Sequence, residues 1–395
     1  VVVGAGVVGV TSAYRLAQAG AEVTVVDGGR VGGGATGATF AHVNASYAGY
    51  WDYVELRRAG LDGYGRLAQE PGGARWWHQT GYLSVHRSGS GFDDHDQHLS
   101  RLQRMGYPAV QVDAEPNTVE PALARFTAAR SYSFPAEGYV DLPDMLADLL
   151  ARCRRLGAEV RTGDPVIAVM TSGNDVTGVR LRSGATLECD GVIVCSGRWT
   201  DQLLALAGVE SQFVAHDEAG GTPVPGLLVV TEAVPGSVTR VSSVDDVNYR
   251  PDGQDRTMLW SALVDRELQR LGGPEADPDA VDRLAGELLA AASTHVPALR
   301  AARVHRTMVT MRAMPADGLP IVGPLPGAAG LYVMLAHAAV TLAPVLADVV
   351  VSEVAHQRSD SRLDRFRPGR LIPDVATAPD KRREKEVADD LATKR

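Results

Sequence analysis

Apolar and polar positions follow two periods along this chain, and the first thirty residues show both. Val1-Val2-Val3 is a run suited to a buried strand. Ala13, Leu16 and Ala17 recur behind it at helical spacing until Gly20 supplies a stop. Ala21-Glu22-Val23-Thr24-Val25-Val26-Asp27 then predicts a second buried strand ending in an acid. Between the first strand and the helix stands Gly4-Ala5-Gly6-Val7-Val8-Gly9, a G-x-G-x-x-G turn. Gly4 permits the tight turn, Gly6 lets backbone approach a pyrophosphate, and Gly9 lets the helix pack on the strand. The helix N-terminus offers unpaired N–H groups and partial positive charge to the phosphates. Asp27 stands where a carboxylate accepts ribose hydroxyls, which argues against a 2′-phosphate although Arg30 is close by. The unit predicts a dinucleotide site and leaves nicotinamide and flavin both open.

The pattern continues with a small-residue stretch, Arg30 to Ser46, suited to lying flat on a planar ligand or to a surface loop. Trp51 to Leu67 predicts an amphipathic helix, Gly81 to His86 a strand, Ser88 to Asp94 a polar turn and Leu99 to Met105 a helix. The cluster Asp93-Asp94-His95-Asp96-Gln97-His98 reads as a solvated helix start rather than a metal site. Tyr139 to Leu156 predicts strand entry and helix. Short strands follow at 158–161 and 166–169, and a hairpin at 176–187 turns at Ser183-Gly184. Val192-Ile193-Val194-Cys195 predicts a buried strand running into Ser196-Gly197, a second place for backbone to meet a dinucleotide. From about 210 to 310 the chain changes character: strands at 224–230, 238–244 and 258–264 and a helix at 274–292 predict an antiparallel block. Short strands then return, and Leu342 to His356 predicts a helix with Pro344 in its first turn, where proline is tolerated.

Composition narrows the class. The chain has 395 residues, enough for two domains or one large composite one. A net charge of −9 gives no reason to expect nucleic acid or an anionic membrane as partner. No apolar run reaches the length of a membrane-spanning helix. Cys153, Cys189 and Cys195 lack metal spacing and predict buried reduced thiols in a cytoplasmic protein. No signal peptide is visible, and from Pro373 the charged tail predicts a frayed end.

Four motifs together resemble the FAD-dependent D-amino acid oxidase superfamily. They are Gly4 to Gly9 with Asp27; Gly37-Ala38-Thr39-Phe40-Ala41-His42-Val43-Asn44-Ala45; Val192 to Trp199; and Arg312 to Gly323 with His337 to Pro344. The resemblance covers the chain to about Phe366. It implies an α/β fold, a Rossmann-type FAD-binding domain (1–80, 138–209 and 310–366) with an inserted antiparallel-sheet substrate domain (81–137 and 210–309), and a C-terminal tail over 367–395. It also implies removal of a hydride from the carbon bearing an amine. The substrate would be an amino acid or secondary amine. The acceptor would be dioxygen or a respiratory or protein carrier, and an oligomer is compatible.

Residue by residue, the resemblance makes Arg312 a clamp for the substrate carboxylate, a role its bidentate fork suits; an ordinary ion pair is the alternative. His337 would tune the flavin or accept a proton, or simply pack beside the ring. His42, Asn44 and Tyr249 are expected on the substrate side. Cofactor contacts are expected from Gly4, Gly6, Val7, Val8, Gly9, Asp27, Gly28, Arg30, Ala35, Thr36, Thr39, Phe40, Ala41, Val166, Ser196, Gly197, Trp199, His337, Ala339, Val340 and Thr341, with the last helix aimed at the flavin pyrimidine edge. Two departures stand out. Ala338-Ala339 replaces the Ser-Gly of many relatives, and His42 replaces a tryptophan. His42 is offset from the positions of flavin attachment and Thr310 stands where a linking cysteine would be, so noncovalent FAD is expected. These departures keep two further readings open: an oxidase that tailors a larger metabolite, and a flavoprotein subunit that needs a partner.

Overall fold

The computed structural model describes residues 1–372 apart from 48, 71–74, 88–91 and 127–128. The charged tail from Pro373 and residues 88–91 of the expected polar turn lie outside the described residues.

Two sheets carry the fold. The first has six strands in the order Ile321–Pro324, Leu331–Leu335, Val192–Val194, Val2–Val3, Thr24–Asp27, Glu159–Thr162. All neighbours are parallel except the edge pair Ile321–Pro324 and Leu331–Leu335. The N-terminal strand is therefore central. Val2 lies between Ile193 and Val25, Val3 between Val194 and Val26. Strands buried on both faces need continuous apolar runs, and Val192–Val194 and Leu331–Leu335 are buried throughout. The first helix, Val7–Gln18, the helix Leu142–Arg155 and the last long helix, Ala339–Val350, share one apolar cluster with this sheet. A three-stranded antiparallel sheet, Val166–Ser172, Asp175–Leu181 and Thr186–Glu188, packs on its other side.

The second sheet has eight strands, in the order Val304–Met311, Pro225–Thr231, Thr257–Ser261, Val247–Pro251, Val241–Val244, Tyr82–His86, Arg130–Phe134, Val110–Val112. It is antiparallel except where Val241–Val244 runs parallel to Tyr82–His86. That junction joins the strands of the 210–310 block to those from residues 82–134. The helices Ala262–Arg270 and Pro278–His295 flank it. Val247–Pro251, Val304–Met311 and Arg130–Phe134 are strands that the apolar pattern did not announce. Each carries charged or hydroxyl side chains among its apolar ones.

The acidic–histidine cluster is the start of the helix Phe92–Arg104, with Asp93 and Asp94 in its first turn, as its composition predicts. The last helix begins at Ala339, not Leu342, so Pro344 falls inside it. Proline cannot donate to the carbonyl four residues back. Here that carbonyl, of Val340, accepts instead from the Tyr64 hydroxyl at 2.7 Å. The long helix Trp51–Gln69 comes close enough for this because glycines face the last helix: a Cβ on Gly60 would stand 2.1 Å from the Thr341 carbonyl oxygen, and one on Gly63 2.5 Å from Pro344. Residues 361–371 wrap back in short helical turns. Leu363 and Phe366 are fully buried, Arg367 pairs with Glu353, and Arg370 donates to Asp317.

Candidate active site

A cavity of about 1310 Å³ runs from the carboxyl ends of the first sheet's central strands to one face of the second sheet. Its volume exceeds an ordinary small-ligand pocket and suits a dinucleotide with a small substrate.

The dinucleotide end is made of backbone. Gly4 has φ 113°, and a Cβ there would lie 2.4 Å from the Cys195 carbonyl oxygen. Both Asp27 carboxylate oxygens are placed by amides: Ala5 N–H donates at 2.7 Å and Gly29 N–H at 2.7 Å. The acid thus bridges the first glycine turn and the turn after its own strand, with lone pairs to spare. Thr36 Oγ1 accepts from Val7 N–H at 3.1 Å, satisfying one of the helix's open amides. Ala41 is buried with φ 55°, a left-handed conformation costly for a residue with a Cβ. Ser196 Oγ is buried and finds no partner among the described residues. An orphaned hydroxyl, open amides and a glycine cradle beside a ribose-type acid are a donor set that fits FAD.

Of the residues expected at the cofactor, Gly4, Gly6, Val7, Val8, Asp27, Gly28, Arg30, Ala35, Thr36, Thr39, Phe40, Ala41, Val166, Ser196, Gly197, Trp199, His337, Ala339, Val340 and Thr341 all line this cavity. Gly9 does not. It lies behind the turn, where a Cβ would meet the Gly4 carbonyl oxygen at 1.9 Å, so its work is helix-to-strand packing. Ala338 adopts φ −76° and Ala339 opens the helix without positive φ, so Ala-Ala in place of Ser-Gly imposes no backbone strain.

The other end is made of side chains. His42, Asn44, Arg312 and His337 line it, together with Thr310, whose strand leads into Arg312. Tyr249 does not reach it. Its side chain points into the apolar cluster on the far face of the second sheet, where its hydroxyl pairs with His295 Nδ1 at 2.6 Å. Strand alternation puts Asn248, its neighbour, on the cavity side instead.

Arg312 is already engaged. Its Nη2 donates to Asp265, and its Nη1 to the carbonyls of Pro223 (2.9 Å) and Pro225 (2.7 Å). The guanidinium lies flat on the backbone where Gly226 has no side chain. Asp265 is buried, and also accepts from Leu227 N–H at 2.7 Å and Trp260 Nε1 at 2.5 Å. Burial pushes its carboxyl up, against the pull of Arg312 and Trp260.

His337 is exposed to the cavity, and the cavity walls around it rather than close packing supply its desolvation. Desolvation, with the charges of Arg312 and Arg57, pushes its pKa down to about 3. It is a neutral imidazole at physiological pH and a weak base, unlike the unperturbed histidine the sequence suggests. His42 Nε2–H donates to Glu137 Oε2 at 3.1 Å. Glu137 is fully buried and also accepts from Ala45 N–H (3.0 Å), Ser46 N–H (2.9 Å) and the Tyr107 hydroxyl (2.8 Å). Burial alone would raise its carboxyl, but His42 and these donors hold it below its ordinary value. Asp265, Glu137, Trp260, Tyr47 and Arg57 escaped the sequence reading. Arg57 alone left a signal there: a cation on the apolar stripe Tyr53, Gly60, Tyr64 of its helix.

Comparison with known proteins agrees with this geometry. Residues 1–353 match the family model for DAO, FAD dependent oxidoreductase. The chain belongs to this family. It is therefore an FAD-dependent oxidoreductase related to the amino acid oxidases and dehydrogenases. It is 25% identical over 338 residues to glycine oxidase of Bacillus licheniformis, covering 82% of this chain and 83% of that one. It is 28% identical over 218 residues to 4-methylaminobutanoate oxidase (formaldehyde-forming) of Paenarthrobacter nicotinovorans, covering 55% of this chain but only 26% of that longer protein. The fold superposes on L-proline dehydrogenase from P. horikoshii with a TM-score of 0.79 at 17% identity, covering 93% and 96% of the two chains. Among the described residues of this DAO-family protein, no helix is long and apolar enough to cross a membrane.

Proposed function

We propose that this protein oxidises the C–N bond of an amino acid or secondary amine to the imine. One observation carries the reading: a single cavity joins the FAD cradle to a pocket walled by His337, Arg312, Arg57 and His42. The names of its relatives, glycine oxidase and 4-methylaminobutanoate oxidase, point to the same bond. When bound, FAD supplies the two-electron acceptor that takes the hydride from the carbon bearing nitrogen. The amine gives up a proton before or during this loss, and the resulting imine meets water.

The chain's own groups orient and desolvate. His337, held neutral by its surroundings, adds no charge against a substrate ammonium and can accept a hydrogen bond from its nitrogen. Asp265 holds Arg312 against the strand at Gly226, so the pair makes a rigid wall. A substrate carboxylate at Arg312 would have to share the cation with Asp265. The last helix points its N-terminus, at Ala339, toward the cavity, where its partial positive charge favours anionic groups.

The test is an anaerobic absorbance titration of the FAD-loaded protein with glycine, sarcosine, proline and D- and L-amino acids. Bleaching of the oxidised flavin band near about 450 nm by one class is the expected result. Retained FAD that no such compound reduces would overturn it and leave a larger amine or a partner-dependent reaction.

A further inference from the structure

One cation in the cavity wall has a charge that nothing in the described chain answers. Arg57 lies on the apolar stripe of the helix Trp51–Gln69 and is 8% exposed. Its Nε donates to the Asn44 carbonyl at 2.9 Å and its Nη2 to Asn44 Oδ1, and the ring of Tyr53 lies 5.3 Å from its guanidinium carbon. Each of these partners is neutral. Among the described residues no carboxylate forms an ion pair with it, and Nη1 makes no hydrogen bond. Glu137, the buried acid of this region, is committed to His42, Tyr107 and two amides. The contrast with Arg312, matched by the buried Asp265 in the same cavity, is direct.

A buried charge without a counter-charge costs far more than a paired one, and a fold retains it when a ligand completes the pair. Arg57 is also preorganised. Asn44 fixes one side of the fork, and Asn44 N–H is in turn tied to Thr341 Oγ1 at 3.2 Å, at the start of the last helix. Its charge reaches His337, so the two share one part of the cavity.

We propose that Arg57, rather than Arg312, receives the substrate's carboxylate, with Nη1 as the donor left for it. The identity of the ligand as a substrate rests on the amine-oxidation reading; the need for an anion at Arg57 does not.

The experiment is binding of two unreactive carboxylates, benzoate and acetate, to the oxidised FAD-loaded protein, read by perturbation of the flavin spectrum and by calorimetry. Arg57→Met should weaken both by at least about thirtyfold, and Arg57→Lys by less, since a point charge replaces a fork. Asn44→Ala, which keeps the cation but frees it, should fall between them. The FAD-free Arg57→Met protein should melt close to the parent, because relief of an unpaired buried charge offsets the two hydrogen bonds lost to Asn44. Affinity within about threefold of the parent in Arg57→Met would overturn the proposal. So would a parent protein that binds neither carboxylate. Loss of FAD from Arg57→Met would assign the cation to the cofactor and overturn it equally. No turnover is involved, so Arg57-dependent benzoate binding in a protein that no amine reduces would remove the amine-oxidation reading and leave this one standing.

Discussion

At the dinucleotide end of the cavity the wall is backbone: glycine turns, open amides and an acid held by two N–H groups. At the substrate end it is side chains drawn from the long helix, the His42–Asn44 strand exit, the second sheet and the loop before the last helix. Backbone walls tolerate little variation, because a single added methyl group meets a carbonyl oxygen at 1.9 to 2.4 Å at Gly9 and Gly4. Side-chain walls exchange one residue for another and still close. The same contrast appears between the two arginines. Arg312 has its charge matched by Asp265, whereas Arg57 is positioned by neutral partners and forms no ion pair among the described residues. The two arginines share residue type and cavity; they differ in whether a carboxylate answers their charge.

The largest test of that contrast is Asp265→Asn. It leaves Arg312 buried without a counter-charge and should destabilise the protein by about 3–5 kcal/mol, read as a fall in the urea midpoint at unchanged slope. A loss well under that figure would mean Arg312 is no more structural than Arg57. Next, Gly9→Ala forces the first helix off its strand and should cost about 1–3 kcal/mol, with FAD content per chain falling in step. Asp27→Ala removes two charge-assisted acceptors and should weaken FAD binding about 10- to 100-fold by equilibrium dialysis, while sparing carboxylate binding in protein saturated with FAD.

A pH series separates the regions more gently. His86 and His295 are pushed down to about 4, in each case mainly by burial. Below about pH 6.5 the unfolded chain takes up protons that these folded histidines refuse until near their depressed values. Stability must therefore fall as pH drops from about 6.5 toward 4, and the melting temperature should follow. His295→Gln should flatten that slope. The smallest effect belongs to His337→Gln. A neutral imidazole that only accepts a hydrogen bond should lose less than about tenfold in kcat/KM, with no limb removed from the pH–rate profile between pH 5 and 8. A lost limb there would restore His337 as a titrating base.

Legibility in the sequence followed the same divide. Val1 to Asp27 specifies its strand–turn–helix–strand unit locally, through glycine positions and two clean periods, and all but Gly9 of its expected contacts line the cavity. The substrate end depends on distant pairings that no local pattern encodes. Asp265 and Arg312 are 47 residues apart, and Glu137 and His42 are 95 apart. Tyr249 was misplaced by one strand position, which in a sheet is the difference between its two faces. The start of the last helix was misjudged because Pro344 reads as a first-turn residue until a tyrosine 280 positions earlier supplies the hydrogen bond it cannot.

The central place of Val2–Val3 in the first sheet has a consequence in time. Val2–Val3 is flanked by Thr24–Asp27, close in sequence, and by Val192–Val194, far from it, and the latter in turn waits for Leu331–Leu335. The cradle for the phosphates is encoded in residues 4–9, yet its sheet closes only once residues 331–335 are present. Synthesis must therefore carry a long stretch of apolar, strand-forming chain past the point where its core could close. Pairings this far apart in sequence form slowly and leave apolar strand unpaired in the meantime.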